Sequence, residues 1–220
     1  MKNLFIVGDT SFSELIALYM EYSGQYRVVG FSVEEKYLSK NFINNVPVVP
    51  LEQVEKYFSV EDTEFFVAVG YKQLNKIRTR LYEEVKNKGY KAASYIDKHA
   101  IIGPDVSLGE HIFLFENVVI QPHAVLSANT IVWASSTITH DSHIFENCFL
   151  GAGSTVGGFA KVRKNCFVGM NATIHDHVEV GEYCIVGAGA RVHKSIPPKT
   201  LVMPAEERIL FDAADGREYF

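Results

Sequence analysis

The chain reads as two folds in series, a small parallel α/β sheet of Rossmann-like type followed by a triangular parallel β-helix. Three observations predict this. An aliphatic residue recurs at an unbroken six-residue interval from Ile102 to Val192, sixteen in all. Four positions after each comes a small or β-branched residue, from Val106 through Cys148, Cys166 and Cys184 to Ile196. Ahead of the repeat, short apolar runs alternate with amphipathic stretches of helical period. A period of six fits neither the 3.6-residue turn of a helix nor a long strand, so it requires a solenoid whose flat sides each take six residues, three sides to a coil.

The elements follow in order. Leu4 to Val7 reads as a buried strand, Ser13 to Tyr22 as a helix and Tyr26 to Val33 as a second strand. Asn45 to Val49 is a short extended piece, Leu51 to Phe58 a helix and Glu64 to Val69 a third strand. Leu74 to Lys88 is an amphipathic helix stopped by Gly89, and Ala92 to Ile96 a final strand. Alternating strand and helix imply a parallel sheet with a ligand crevice at the carboxyl ends of its strands. Two loops open there. Gly8-Asp9-Thr10-Ser11-Phe12 offers N–H groups and hydroxyls suited to a phosphate, and reads equally as a plain turn capped by Thr10 or Ser11. Gly70-Tyr71-Lys72 follows the third strand. Neither is a dinucleotide fingerprint, because the first loop has one glycine and no acidic residue ends the second strand.

From residue 101 to about 196 the hexads predict roughly five coils, rising about 4.8 Å each. Three positions after the aliphatic stand Asp105, Asn117, Asn129, Asp141, Asn147, Gly153, Asn165, Asn171 and Gly189, types that tolerate the left-handed backbone of a corner. Cys148, Cys166 and Cys184 are eighteen residues apart, so they stack one per coil in the small-residue slot, as reduced core thiols rather than a metal or disulfide set. The expected domains are 1–96, 97–197 and a tail, 198–220, with a short helix after Met203.

With 220 residues, 47% hydrophobic and 21% charged, the chain can bury a sizeable core. A net charge of −5 without a basic run argues against nucleic acid. Met1-Lys2-Asn3 leads directly into a strand, with no cleavage site and no apolar run of membrane-spanning length, so the expectation is a cytoplasmic protein without membrane insertion.

Among eight histidines, His140 stands out at a predicted corner, in Thr139-His140-Asp141. At a corner two neighbouring side chains can converge, and an imidazole held by a carboxylate is suited to take a proton. A satisfied surface histidine is the plainer reading. His175-Asp176-His177 is the rival cluster; its two histidines would share a face if straight, but no third metal ligand is evident, and no metal is expected.

Taken together, the α/β domain, the hexads, Thr139-His140-Asp141-Ser142, Asn165-Cys166-Phe167-Val168-Gly169-Met170-Asn171-Ala172 and Ile185-Val186-Gly187-Ala188-Gly189-Ala190 resemble the sialic acid O-acetyltransferase and UDP-amino-sugar N-acetyltransferase family. The resemblance covers nearly the whole chain. It implies a left-handed β-helix, a homotrimer with acetyl-CoA between adjacent prisms, and a transferase acting on a nucleotide-linked amino sugar in surface polysaccharide synthesis. His140 would be the general base and Asp141 would orient it. Phe149, Gly158, Met170, Ala188, Lys194 and Lys199 would line the acetyl-CoA site, and Thr10, Ser11, Phe12, Ser32 and Gly70 the nucleotide-sugar site. The chain departs from the family in three places: Ser11-Phe12-Ser13 stands for Gly-His-Gly, Ser32-Val33 for an acidic pair, and Phe149 for a second histidine. Acetyl transfer to a sugar hydroxyl, a zinc hydratase and a noncatalytic scaffold are the other readings.

Overall fold

The computed structural model describes residues 1–205, so most of the expected tail helix lies outside the described residues. In the N-terminal part, β1 (Lys2–Val7) lies between β2 (Tyr26–Val33) and β5 (Thr63–Val67), parallel to both. With β3 (Phe42–Ile43), β4 (Val46–Pro50) and β6 (Lys91–Ala92) the sheet order is β3-β4-β2-β1-β5-β6. β1 is buried on both sides over Leu4–Val7, its apolar part. Leu4 and Ile6 pack with Ile16 and Met20 of α1 (Ser11–Tyr22), while Phe5 and Val7 pack with Leu81 and Val85 of α2 (Lys76–Asn87). A two-residue turn at Asn44-Asn45, with φ of 49° and 65°, joins β3 to β4 as a tight hairpin needs.

Three local expectations are corrected. The helix expected over Leu51 to Phe58 is a 3-10 helix, Leu51–Lys56, because its buried residues, Leu51 and Val54, are three apart and eclipse on a three-residue turn. Helix α2 begins at Lys76 rather than Leu74, since Gln73, Leu74 and Asn75 all take left-handed backbone, with φ of 53°, 53° and 62°. The strand expected over Ala92 to Ile96 is split: Lys91–Ala92 closes the α/β sheet, while Tyr95–Ile96 pairs with Phe113–Leu114 as the first rung of the prism.

The remainder is a left-handed parallel β-helix. Its first face stacks seven two-residue rungs, its second six and its third five. Partners are eighteen residues apart, as in Val119↔Thr137↔Thr155, which makes three six-residue sides per coil. The prism is longer than five coils, because Ile96 already occupies the aliphatic phase and a last rung, Leu201–Val202, stacks on Ile185–Val186. There Val202 follows Val186 by sixteen residues, Pro197-Pro198 having interrupted the hexads. The aliphatic column and the three cysteines fill the interior, all of the latter fully buried and unbridged. The first face carries Phe113, Ile131 and Phe149 outward into the α1 side of the sheet, so the two parts share one apolar layer.

Candidate functional site

Corner backbone creates the first part of the site. Every sixth residue from Asp105 to Gly189 has positive φ, including bulky Phe159 at 58° and Tyr183 at 57°, where a β-carbon is disfavoured. One corner column carries His123, Asp141, Phe159 and His177. Just before it, His140 Nδ1 lies 2.9 Å from Asp141 Oδ2, on side chains 51% and 36% exposed. A carboxylate accepts only, so Nδ1 carries a proton, and Nε2 makes no hydrogen bond among the described residues. One coil on, the Gly158 backbone lies against the imidazole: a β-carbon there would come within 2.8 Å of Cε1 and 2.9 Å of Nε2. The Phe159 ring meets His140 edge-on at 5.3 Å and stacks on His177 at 4.9 Å, 2° from parallel. Asp176 is exposed, and its Oδ1 accepts the Gly158 N–H at 2.8 Å. Asp141, Phe159, Lys161, His177 and Glu179 border a 330 Å³ depression on this corner.

The rival histidine cluster takes separate partners, His177 on Phe159 and His175 edge-on to His193 at 6.0 Å. Among the described residues no three His, Cys, Asp or Glu side chains are grouped to hold a metal ion.

A 490 Å³ crevice opens at the carboxyl ends of β1, β2 and β5, lined by Thr10, Phe12, Ser32 and Gly70 among the expected residues; Ser11 is not part of its wall. Gly8, at φ 126°, makes the turn close: a β-carbon would sit 2.5 Å from Ser13 Oγ and 2.9 Å from the Ala68 carbonyl oxygen. Ser13 accepts the Thr10 N–H at 3.2 Å and donates to the Ala68 oxygen at 3.1 Å, tying the two loops together. Phe12 stacks toward Trp133 at 6.0 Å, so its ring is engaged by the prism. The Ser32 hydroxyl is buried with no partner among the described residues, an unspent donor in the crevice wall. Sequence reasoning missed Glu34 and Tyr37 on that wall, although Glu34 directly follows β2, which was the available signal. The Arg80 guanidinium, 2.8 Å away, with Lys36 at 3.3 Å, holds the Glu34 carboxyl below its ordinary range, so it stays ionised.

Tyr71 borders both this crevice and an apolar slot of 340 Å³ formed with Trp133, Phe149, Gly151, Phe167, Met170 and Ala188. Phe149, Met170 and Ala188 are thus brought together, but on the first face and its following corner, away from the His140 corner. Lys194 falls on the His140 edge by register, and Lys199 on the third corner, where its N–H reaches the Glu182 oxygen. One chain therefore does not gather the expected residues into a single groove.

A buried polar network fixes the α/β part on the prism. Arg78, fully buried with no carboxylate, donates to Asn129 Oδ1 at 3.1 Å, Asn75 Oδ1 at 2.8 Å and the Cys148 oxygen at 2.9 Å; burial pushes its pKa down to about 9. His111 accepts the Val67 N–H at Nε2, 2.8 Å, and its Nδ1 lies 2.9 Å from Asn129 Oδ1. Asn129 continues to Asn147 at 2.7 Å, Asn147 to Asn165 at 3.4 Å, and Asn165 to the Leu74 oxygen at 3.3 Å.

Comparison with known proteins places this architecture. The PglD N-terminal domain model matches residues 3–85 and the GMPPB C-terminal domain model residues 90–202. No curated protein matches the chain. Among solved structures, the acetyltransferase domain of PglB from Neisseria gonorrhoeae is similar at 22% identity and TM-score 0.82, over 93% of this chain and 100% of that one. PerB from Caulobacter crescentus, at 23% identity and TM-score 0.78, covers 90% of this chain and 92% of its own. WeeI from Acinetobacter baumannii, at 18% and 0.79, covers 90% and 94%. At such identities these structures speak for the fold. Among the described residues no helix is long and apolar enough to cross a membrane. With a PglD N-terminal domain set before it, the prism belongs to the GMPPB C-terminal domain family, here a left-handed β-helix of hexapeptide repeats.

Proposed function

We propose that the chain is an acetyl-CoA-dependent acetyltransferase acting on the amino group of a nucleotide-linked amino sugar. The observation that carries this is the exposed His140–Asp141 pair, with a 2.9 Å contact at Nδ1 and a free Nε2. The similar structures lend weight: the PglB domain was also solved with acetyl coenzyme A, and PerB with CoA and GDP-perosamine. His140 Nε2 takes a proton as the sugar amine attacks the thioester carbonyl carbon. A C–N bond forms and the carbonyl electrons move to oxygen; their return breaks the C–S bond, and the imidazolium passes its proton to the departing thiolate. Asp141 fixes the tautomer and steadies the imidazolium.

The crevice around Thr10, Phe12, Ser32 and Gly70 would take the nucleotide-sugar, with the aromatic slot continuing toward the reacting end. Because the His140 edge and the Met170–Ala188 edge are different corners of one prism, a groove holding both requires a neighbouring copy. A homotrimer supplies it, and Lys194 would face the donor's phosphates along the His140 edge. Release of thiol from acetyl-CoA, measured over a panel of nucleotide-linked amino sugars, tests the reading. His140→Ala should lose at least about 10²-fold in turnover, the ordinary contribution of a general base; equal activity in the variant would remove the assignment. A product that keeps its free amine would instead favour acetylation of a hydroxyl.

A further inference from the structure

The Gly158 N–H stands outside the rung ladder. Its neighbours follow the coil, the Gly157 N–H bonding to the Ile174 oxygen and the Phe159 N–H to the His140 oxygen, whereas the Gly158 N–H meets Asp176 Oδ1 at 2.8 Å. The same residue backs onto the His140 imidazole, close to Nε2. An amide donor beside the base, directed at a negatively charged oxygen, has the geometry that an oxyanion donor needs. Among the described residues no cation lies within ion-pair distance of Asp176, and its side chain makes no other hydrogen bond. The carboxylate is therefore held by one amide alone, a grip that a well-placed ligand oxygen can replace.

We infer that Asp176 is an internal occupant of the seat for the acyl donor's carbonyl oxygen, so that acetyl-CoA must displace its carboxylate from the Gly158 N–H before reaction. The inference rests on the acetyltransferase reading. Asp176 then sets the affinity for the donor's acyl end and leaves the rest of the coenzyme unaffected. It gives the resting site a bound anion and makes thiol product, which lacks the thioester carbonyl, a poor competitor for that amide.

The test compares acetyl-CoA with CoA by calorimetric titration of the full chain without acceptor, in wild type, Asp176→Ala and Asp176→Asn. Removal of the carboxylate should tighten acetyl-CoA relative to CoA by about tenfold, the scale of a charge-assisted hydrogen bond. Asp176→Asn keeps an acceptor oxygen without the charge and should move the ratio by less, about threefold. A ratio unchanged in both variants, or one shifted equally for both ligands, overturns the inference while leaving the acetyltransferase reading intact. Failure of wild type to bind either coenzyme overturns both. If Asp176→Ala does not fold, as judged by its thermal transition, the asparagine variant alone decides.

Discussion

His111 gives the sharpest quantitative prediction. It is fully buried, stacked on Phe66 at 4.2 Å, and spends both ring nitrogens, on the Val67 N–H and the Asn129 side chain. Burial, with Arg78 nearby, lowers its pKa from 6.5 to about 3. Since the folded pKa lies below the unfolded one, the unfolded chain binds a proton between these values and the folded chain does not. Stability must fall as pH falls, by about 1.4 kcal/mol per unit once below 6.5, or about 3 kcal/mol by pH 4.5. His111→Phe keeps the stack but orphans the buried Val67 N–H and takes one of two donors from Asn129 Oδ1, costing about 3 kcal/mol at pH 7. The variant cannot titrate there, so the gap between the two proteins should close to near zero at pH 4.5. Urea unfolding at fixed protein concentration, from pH 7 to 4.5, measures it. A gap that stays constant across that range would refute a buried neutral imidazole.

Two further outcomes follow from the same contacts. Arg78→Met should cost about 3 kcal/mol in urea unfolding, because Asn75 Oδ1 and the Asn129 main-chain oxygen lose their donor inside the protein and Asn129 Oδ1 and the Cys148 oxygen lose one of two; a loss below about 1 kcal/mol would mean that the network is not a support. Gly158→Ala places a methyl 2.8 Å from His140 Cε1 and should push the ring off Asp141. Turnover should drop about 10²-fold with the thermal midpoint little changed, and wild-type turnover would contradict the packing of that ring.

The prism was legible because its interior dictates residue type at fixed phase. The corners were legible where Asp, Asn or Gly stands; His111, Ser135 and Tyr183 share that phase and its left-handed backbone, though their types gave no hint. The turn at Gln73-Leu74-Asn75 was not legible, since the Asn75 side chain that anchors it donates to Cys166, ninety-one residues away. His140 and Asp141 were readable as neighbours in sequence. The Asp176–Gly158 contact was not, although the two are eighteen residues apart, one coil, and His175 and His177 drew attention as a metal pair instead. The slot of Tyr71, Trp133 and Phe167 stayed hidden because it forms where the two folds meet.

The asparagine column has a consequence for motion. Each amide passes its hydrogen in the same sense, from Asn129 to Asn147 to Asn165 and back to Leu74, a few residues ahead of Arg78, where the circuit starts. No single amide can flip without reversing the rest, so the circuit acts as a latch with one setting. The latch resists hinging of the α/β part about this edge and so sets the height of the crevice along the prism axis.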